Sequence, residues 1–248
     1  MPPRPTAKRS VPFAILLAIL PNPAFAQLDK IIGGIGKVAG GPKTPGSTSD
    51  SRLAEGLKEA LTIGTTNAVR LTGATDGYFK NELIKIAMPP KLRTAEKGVR
   101  MVGGGPQVDA FVLGMNRAAE KAAPEASKYF KDAIVGMTFS DARAILTGGD
   151  TAATDYFRSK TSAQLTTAFR PNVEAAMAQV QVAQRLESVM SSVKKVPFLK
   201  AETFDLNEYV VQQAVAGIFV MVGQEEKKIR KDPGAQVTGL LREVFGHR

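Results

Sequence analysis

The sequence contains no cysteine, no tryptophan and one histidine among its 248 residues. Without cysteine the chain has no disulfides, no thiol nucleophile and no thiolate ligands for structural zinc or an iron–sulfur cluster. The single histidine, His247, is next to last, so we expect it to be a poor anchor for a Ser-His-Asp site. Hydrophobic residues make up 44% of the sequence, which is enough for a globular core without cross-links.

The N-terminal residues have the pattern of a secretory signal peptide. Arg4, Lys8 and Arg9 precede an apolar run at 11–20, and Ala-Phe-Ala at 24–26 follows it. The run is too short to span about 30 Å of hydrocarbon, and no cysteine stands at the cleavage point to carry a lipid. No later segment has 18 uninterrupted apolar residues, so we expect residues 1–26 to be a signal peptide and the mature chain to be soluble and without a transmembrane segment.

Residues 27–49 are rich in Gly, Pro, Ser and Thr, a composition that predicts a flexible linker. Gly34 to Ala39 matches G-x-G-x-x-A by letter, but no buried strand precedes it and Pro and Gly follow. A dinucleotide site needs both a strand and a helix around its glycines. A near match to a phosphate-binding loop has Pro42 where the lysine belongs. We therefore predict no nucleotide cofactor.

From residue 50 to 246 the apolar residues recur at steps of three and four, which predicts one all-α globular domain of about nine helices. Residues 84–88, IKIAM, are the one segment with a short extended pattern, and a single strand cannot form a sheet. Capping residues and prolines predict where helices begin. These starts are Asp50, Pro90, Pro124, Thr138 with Asp141, Asp150, Thr161 or Ser162, Pro171, Asp205 with Glu208, and Asp232 with Pro233.

Several stretches resemble the bacterial DUF4197 family, a domain of unknown function. They are MNRAAE at 115–120, TFSDARAILTGGDTAATDYFR at 138–158, FRP at 169–171 and QEEKKIRKDPGAQVTGLLREVFG at 224–246. The resemblance extends over about residues 50–246 and implies an exported protein of the Gram-negative periplasm. Many members are similar to lipoproteins, and this chain departs from that form because it has no cysteine. The resemblance implies no reaction and no catalytic residues.

The densest polar cluster lies within 138–158. Asp150, Thr154 and Arg158 are four residues apart and so share one helix face. If an earlier helix with two polar residues at 116 and 120 faced them, the groups would form a small acid/base or anion-binding site. The alternative is structural, because acids at helix starts act as caps and an Arg–carboxylate pair can fix how helices dock. The candidate cluster is Asn116, Glu120, Asp141, Asp150, Thr154, Asp155 and Arg158. No EF-hand spacing is present, so we predict no metal site.

Positive charge is in excess, with 33 Lys and Arg against 23 Asp and Glu. Arg93, Lys97 and Arg100 lie on one predicted helix face, and four basic residues crowd 227–231. Export argues against nucleic acid as the partner, and an anionic envelope surface is more accessible. Basic residues near helix C-termini also complement the helix dipole.

Three functions stay open, and each predicts a different surface. A periplasmic binding or interaction protein would have a groove with Met and Leu open to solvent. An enzyme based on carboxylates and arginine would have a pocket lined by Asn116, Glu120, Asp150 and Arg158. A protein that binds anionic lipid or glycan would have one contiguous basic face. We favour the first, with an envelope component or a small ligand as partner.

Overall fold

A computed structural model describes residues 47–179, 184, 205–232 and 239. The predicted signal peptide at 1–26, nearly all of the predicted linker, the second half of the helix predicted after Pro171, and the final helix predicted at Asp232 and Pro233 lie outside the described residues. The described part is helical throughout and contains no β-strand. The prediction of an all-α domain is therefore confirmed.

Seven α-helices and two 3-10 turns form the described part of the domain. The helices are α1 (Ser47–Gly73), α2 (Arg93–Met101), α3 (Gly105–Ala122), α4 (Ala126–Val135), α5 (Phe139–Thr147), α6 (Ala152–Gln179) and α7 (Leu206–Lys231). The turns are Pro90–Leu92, which leads into α2, and Ala123–Glu125, which joins α3 to α4. Within the described ranges no helix is long and apolar enough to cross a membrane.

The two longest C-terminal helices, α6 and α7, pack against each other, and α1 and α3 pack around them. Their shared core contains three phenylalanine rings in edge-to-face contact. The Phe130 ring centroid lies 5.3 Å from that of Phe157 and 6.1 Å from that of Phe219. Edge-to-face geometry places the positive edge of one ring against the negative face of another. The core therefore joins α4, α6 and α7 in one packed unit.

The prediction of about nine helices was too high for the described residues, chiefly because α6 is continuous where two further helix starts were expected. The Thr161 hydroxyl donates to the Phe157 carbonyl of its own helix and caps nothing. Pro171 lies inside α6 and not at its first turn. An interior proline removes a helical hydrogen bond, but Phe169 and Val173 on either side of it are fully buried. The helix is continuous through the proline, between these two packed side chains.

Two predicted capping pairs are confirmed, and one start is corrected. The Thr138 hydroxyl accepts the N–H of Asp141, whose carboxylate accepts the Thr138 N–H, which is a capping box for α5. Asp205 accepts the N–H of Glu208 at the start of α7. Helix α1 begins at Ser47, so Asp50 lies inside it and not at its start. Serine, threonine and aspartate all favour helix starts, and this run offers several of them.

Residues 74–89 form a non-helical segment between α1 and the first 3-10 turn. Ile84, Ile86 and Met88 are buried, whereas the residues between them are more exposed. This alternation is the pattern of extended chain with one face against a core. The expected extended piece at 84–88 is therefore present, without a strand partner.

Candidate functional site

The start of α6 is capped by a carboxylate from α7. Glu226 accepts the N–H of Ala153 at 2.9 Å and the N–H of Thr154 at 2.8 Å, and the Thr154 hydroxyl donates to the same carboxylate at 2.7 Å. Arg230, one turn further along α7, donates to Glu226 at 2.9 Å and to the Ile145 carbonyl at the end of α5. Because the first N–H groups of a helix have no partner within it, this buried carboxylate satisfies them and joins α5, α6 and α7.

The prediction that the Asp150 side chain caps the start of α6 is therefore wrong. Asp150 precedes α6, but its carboxylate pairs with Lys231 at the end of α7, and both side chains are more than half exposed. This pairing, helped by the charges of Arg230 and Lys227, lowers the pKa of Asp150. An exposed pair of this kind contributes little to stability. The sequence placed Asp150 at the helix start correctly, but the capping oxygens come from Glu226.

The other residues of the 138–158 cluster have local or structural contacts. Asp141 belongs to the α5 capping box, and the hydrogen bonds from the Thr138 side chain and backbone lower the pKa of its carboxyl. Asp155 accepts from the Thr151 hydroxyl one turn earlier. Arg158 was expected to reach an acid on another helix, but its guanidinium lies over the Phe219 ring at 5.4 Å from the centroid. That is a cation–π contact with α7.

Asn116 is fully buried on α3 and fixes the extended segment. Its amide accepts the Ile86 N–H at 2.9 Å and donates to the Ile86 carbonyl at 2.8 Å. It also donates to the Val112 carbonyl of its own helix. A side-chain amide that pairs with both backbone groups of one residue replaces the missing strand partner. The sequence identified this residue, but its bonds go to residue 86 and not to the 138–158 cluster.

Glu120 holds the other end of the same segment. One carboxylate oxygen accepts the N–H groups of Tyr78 and Phe79, both at 3.1 Å. The other oxygen accepts from Arg117 at 2.6 Å, and Arg117 also donates to Asp76 at 2.6 Å. Asp76 has a φ of 68°, a conformation that most residues avoid. Hydrogen bonds from Lys80 and Arg117 lower the pKa of Asp76 and keep this turn in place.

The segment that Asn116 and Glu120 hold forms one wall of a surface groove of about 290 Å³. Its apolar lining comes from Phe79, Ala87, Met88 and Val112, and its charged lining from Lys85, Arg93, Glu96, Arg100 and Asp109. The Lys85 ammonium lies 4.9 Å from the Phe79 ring centroid, and the Arg117 guanidinium lies 5.9 Å from it.

The charges of the groove are divided unequally. Arg100 pairs with Glu96 at 3.1 Å and with Asp109 at 2.7 Å, so on that side one cation faces two carboxylates. Lys85 is 3.7 Å from Glu82, which is largely exposed to solvent. The groove lining thus has three cations and two acids. An anionic group is therefore favoured over a cationic one near Lys85 and Arg93.

The basic residues at the end of α7 are mostly used inside the domain. Lys228 pairs with Glu225 at 2.6 Å, Arg230 with Glu226, and Lys231 with Asp150. These ion pairs and the helix C-terminus account for the cluster. Three of the four basic residues at 227–231 thus have an acidic partner, although Lys228 and Lys231 are each 54% exposed.

Three residues that matter for the cap of α6 or for the support of the groove have only weak sequence signals. Glu226 stands in a charged run that looks exposed, but it is buried. Tyr78 is fully buried and donates its hydroxyl to the Ala214 carbonyl at 2.7 Å. Burial raises the pKa of Tyr78. At Gly217 a Cβ atom would lie 2.6 Å from the Tyr78 ring, so only glycine leaves room for it.

Comparison with known proteins places the domain in one family. The family model described as "Protein of unknown function (DUF4197)" matches residues 47–246, and the chain belongs to that family. The resemblance predicted from the sequence is therefore confirmed. No curated protein and no solved structure matches the chain. The family description assigns no activity, so function has to be argued from the groove and its supports.

Proposed function

We propose that this chain is an exported binding protein and that the groove between residues 79–93 and helices α2 and α3 is its binding site. The observation that carries the proposal is the fixed wall of the groove. Two buried polar side chains, Asn116 and Glu120, hold the backbone of residues 78, 79 and 86 through four hydrogen bonds. A wall held in this way is preorganised, which lowers the cost of binding.

The lining favours a ligand with an anionic group attached to an apolar body. Phe79, Met88 and Val112 offer apolar surface, while Lys85 and Arg93 supply positive charge. A volume of about 290 Å³ fits a small molecule or one side chain of a partner. The lining includes a methionine, but Met88 is only 3% exposed and the other apolar residues are Phe, Ala and Val, so the groove differs from the open Met and Leu surface that was expected.

The enzyme hypothesis gains no support from the candidate cluster. Thr154 is bonded to Glu226, Asp141 caps α5 and Asp150 pairs with Lys231. Asn116 and Glu120 bind backbone groups of residues 78–86. Each of these contacts has a structural explanation. An enzyme site around 138–158 therefore stays a prediction without a further observation in its favour.

Native mass spectrometry tests the binding function. Protein purified under non-denaturing conditions from the producing bacterium should carry a small molecule of defined mass. The Lys85→Glu variant should lose it, because the charge near Phe79 is reversed. Lys131→Glu is the matched control, since Lys131 is exposed on α4. Wild type without any adduct, or an adduct that Lys85→Glu retains, would contradict the proposal.

Export rests on the signal pattern of residues 1–26. The periplasmic fraction should contain a chain whose intact mass begins at Gln27. A product that keeps Met1 and stays in the cytoplasm would contradict export, and it would leave the groove proposal to be judged by the mass spectrometry alone.

A further inference from the structure

The C-terminal end of α2 exposes two adjacent large apolar side chains. Met101 is 86% exposed and Val102 is 57% exposed. Scattered exposed apolar residues are normal, but neighbouring ones mark surfaces that contact something else. This pair is separate from the groove lining.

The pair lies where a glycine turn ends α2. Gly103 has a φ of 87°, and its N–H donates to the Arg100 carbonyl. The Gly104 N–H donates to the Val99 carbonyl at 2.8 Å. This is the Schellman pattern, which ends a helix on a left-handed glycine. A Cβ atom at Gly104 would lie 2.4 Å from a Val99 methyl carbon, so the turn packs closely under the helix. Met101 is the last residue of α2 and Val102 follows it, so both exposed side chains lie at this turn.

Exposed cations lie beside the apolar pair. Arg93 and Lys97 are exposed and precede Met101 by eight and four residues, so the three lie on one side of α2. At 1.5 Å per residue, Lys97 is about 6 Å and Arg93 about 12 Å along the helix from Met101. Arg100 pairs with both Asp109 and Glu96, so these three residues carry one net negative charge, and with Arg93 and Lys97 the end of α2 keeps a net positive charge. Met101 and Val102 thus form an apolar tip at the end of α2, with Lys97 and Arg93 on the preceding turns. Interfacial helices that bind anionic membranes combine apolar and basic residues in this way.

We propose that the end of α2 docks on an anionic lipid surface, with Met101 and Val102 entering the interface and Lys97 and Arg93 near the headgroups. Charge complementarity selects this partner, because a neutral surface gains nothing from the two cations. The interaction is reversible and weakens with salt, since few charges and two apolar side chains take part. Arg93 also lines the groove, whereas Lys97, Met101 and Val102 do not, so variants of these three residues test lipid docking separately from the groove.

Vesicle co-sedimentation of the purified protein tests this proposal. The protein should bind vesicles of 30% phosphatidylglycerol in phosphatidylcholine, and it should bind pure phosphatidylcholine weakly. Lys97→Gln should lower the partition coefficient about fivefold. The double variant Met101→Ser/Val102→Ser should lower it by about tenfold or more, because the apolar contribution is lost. The controls are Lys131→Gln and Val135→Ser, which remove an exposed charge and an exposed apolar side chain from α4.

Equal binding to neutral vesicles would overturn the proposal, and so would tip variants that bind as wild type does. Loss of binding in the α4 controls would overturn it too. Analytical ultracentrifugation tests whether this surface instead contacts a second copy of the chain. If wild type forms a dimer, the double variant does not, and wild type fails to bind lipid, the surface belongs to a dimer interface and lipid docking is contradicted. Unchanged circular dichroism of the tip variants shows that the fold is intact, which is expected because both side chains are exposed.

Discussion

Thr154 binds Glu226 twice, through its backbone N–H at 2.8 Å and its hydroxyl at 2.7 Å, although the two residues are 72 positions apart in the chain. The carboxylate thereby caps α6 from α7, and it also faces Arg230. A charged acceptor at a helix N-terminus is favoured by the unpaired N–H groups and by the helix dipole. The contact fixes the register of the two helices that form the centre of the domain.

Glu226→Gln should therefore destabilise the fold strongly. The amide keeps one acceptor oxygen but removes the charge that faces the buried Arg230, and breaking a buried pair costs about 3 kcal/mol or more. Thr154→Val removes one buried hydrogen bond and should cost about 1 kcal/mol. Asp150→Asn is the control, since its exposed ion pair with Lys231 should not change the urea midpoint measurably. If Asp150→Asn proves as costly as Glu226→Gln, the capping assignment is wrong.

Glu120→Gln should loosen the groove wall. The amide NH₂ group cannot accept from Arg117, so a charge-assisted hydrogen bond is lost at a cost of about 2 kcal/mol. The amides of Tyr78 and Phe79 should then exchange with solvent faster than in wild type, while Ile86, held by Asn116, should change less. Glu125→Gln, at an exposed position, is the matched control. Unchanged exchange at residues 78 and 79 would show that Glu120 does not hold the wall.

The α5 capping box predicts how stability depends on pH. The Thr138 side chain and backbone lower the pKa of Asp141 in the folded state, below the value of about 3.9 in an unfolded chain. The stabilisation is thus present above about pH 4 and lost as the pH falls through the lower, folded-state pKa. Asp141→Asn should unfold at a lower urea concentration than wild type at pH 6, and this difference should shrink as the pH falls below about 4. A difference in urea midpoint between the two proteins that does not change with pH would contradict the assignment of Asp141 to the capping box.

Local patterns in the sequence predicted local structure well. The pair Thr138 and Asp141 lies within one turn, so capping chemistry alone identifies it. The helical spacing likewise identified the buried face of α3, with Phe111 and Met115 fully buried. Val102 broke this pattern because the glycine turn ends the helix beside it.

Contacts between distant segments were not predictable in the same way. Asp150 has the right residue type for a cap, but Glu226 reaches the helix start from another element, and no spacing rule connects positions 153 and 226. Asn116 and Glu120 were named in the candidate cluster, and both are buried on α3. Their hydrogen-bond partners lie in residues 74–89, which have no regular structure. The groove combines residues from that segment, α2 and α3, so its lining depends on tertiary packing.

The most direct test of the groove as a binding site is a titration followed by ¹H–¹⁵N correlation spectra. Benzoate carries an anionic group on an apolar ring, and benzyl alcohol has nearly the same shape without the charge. Benzoate should shift the amides of Phe79, Lys85 and Val112, benzyl alcohol should shift them less, and Lys85→Gln should weaken the benzoate response severalfold. Equal responses to both probes, or benzoate shifts confined to residues outside the groove lining, would contradict the account.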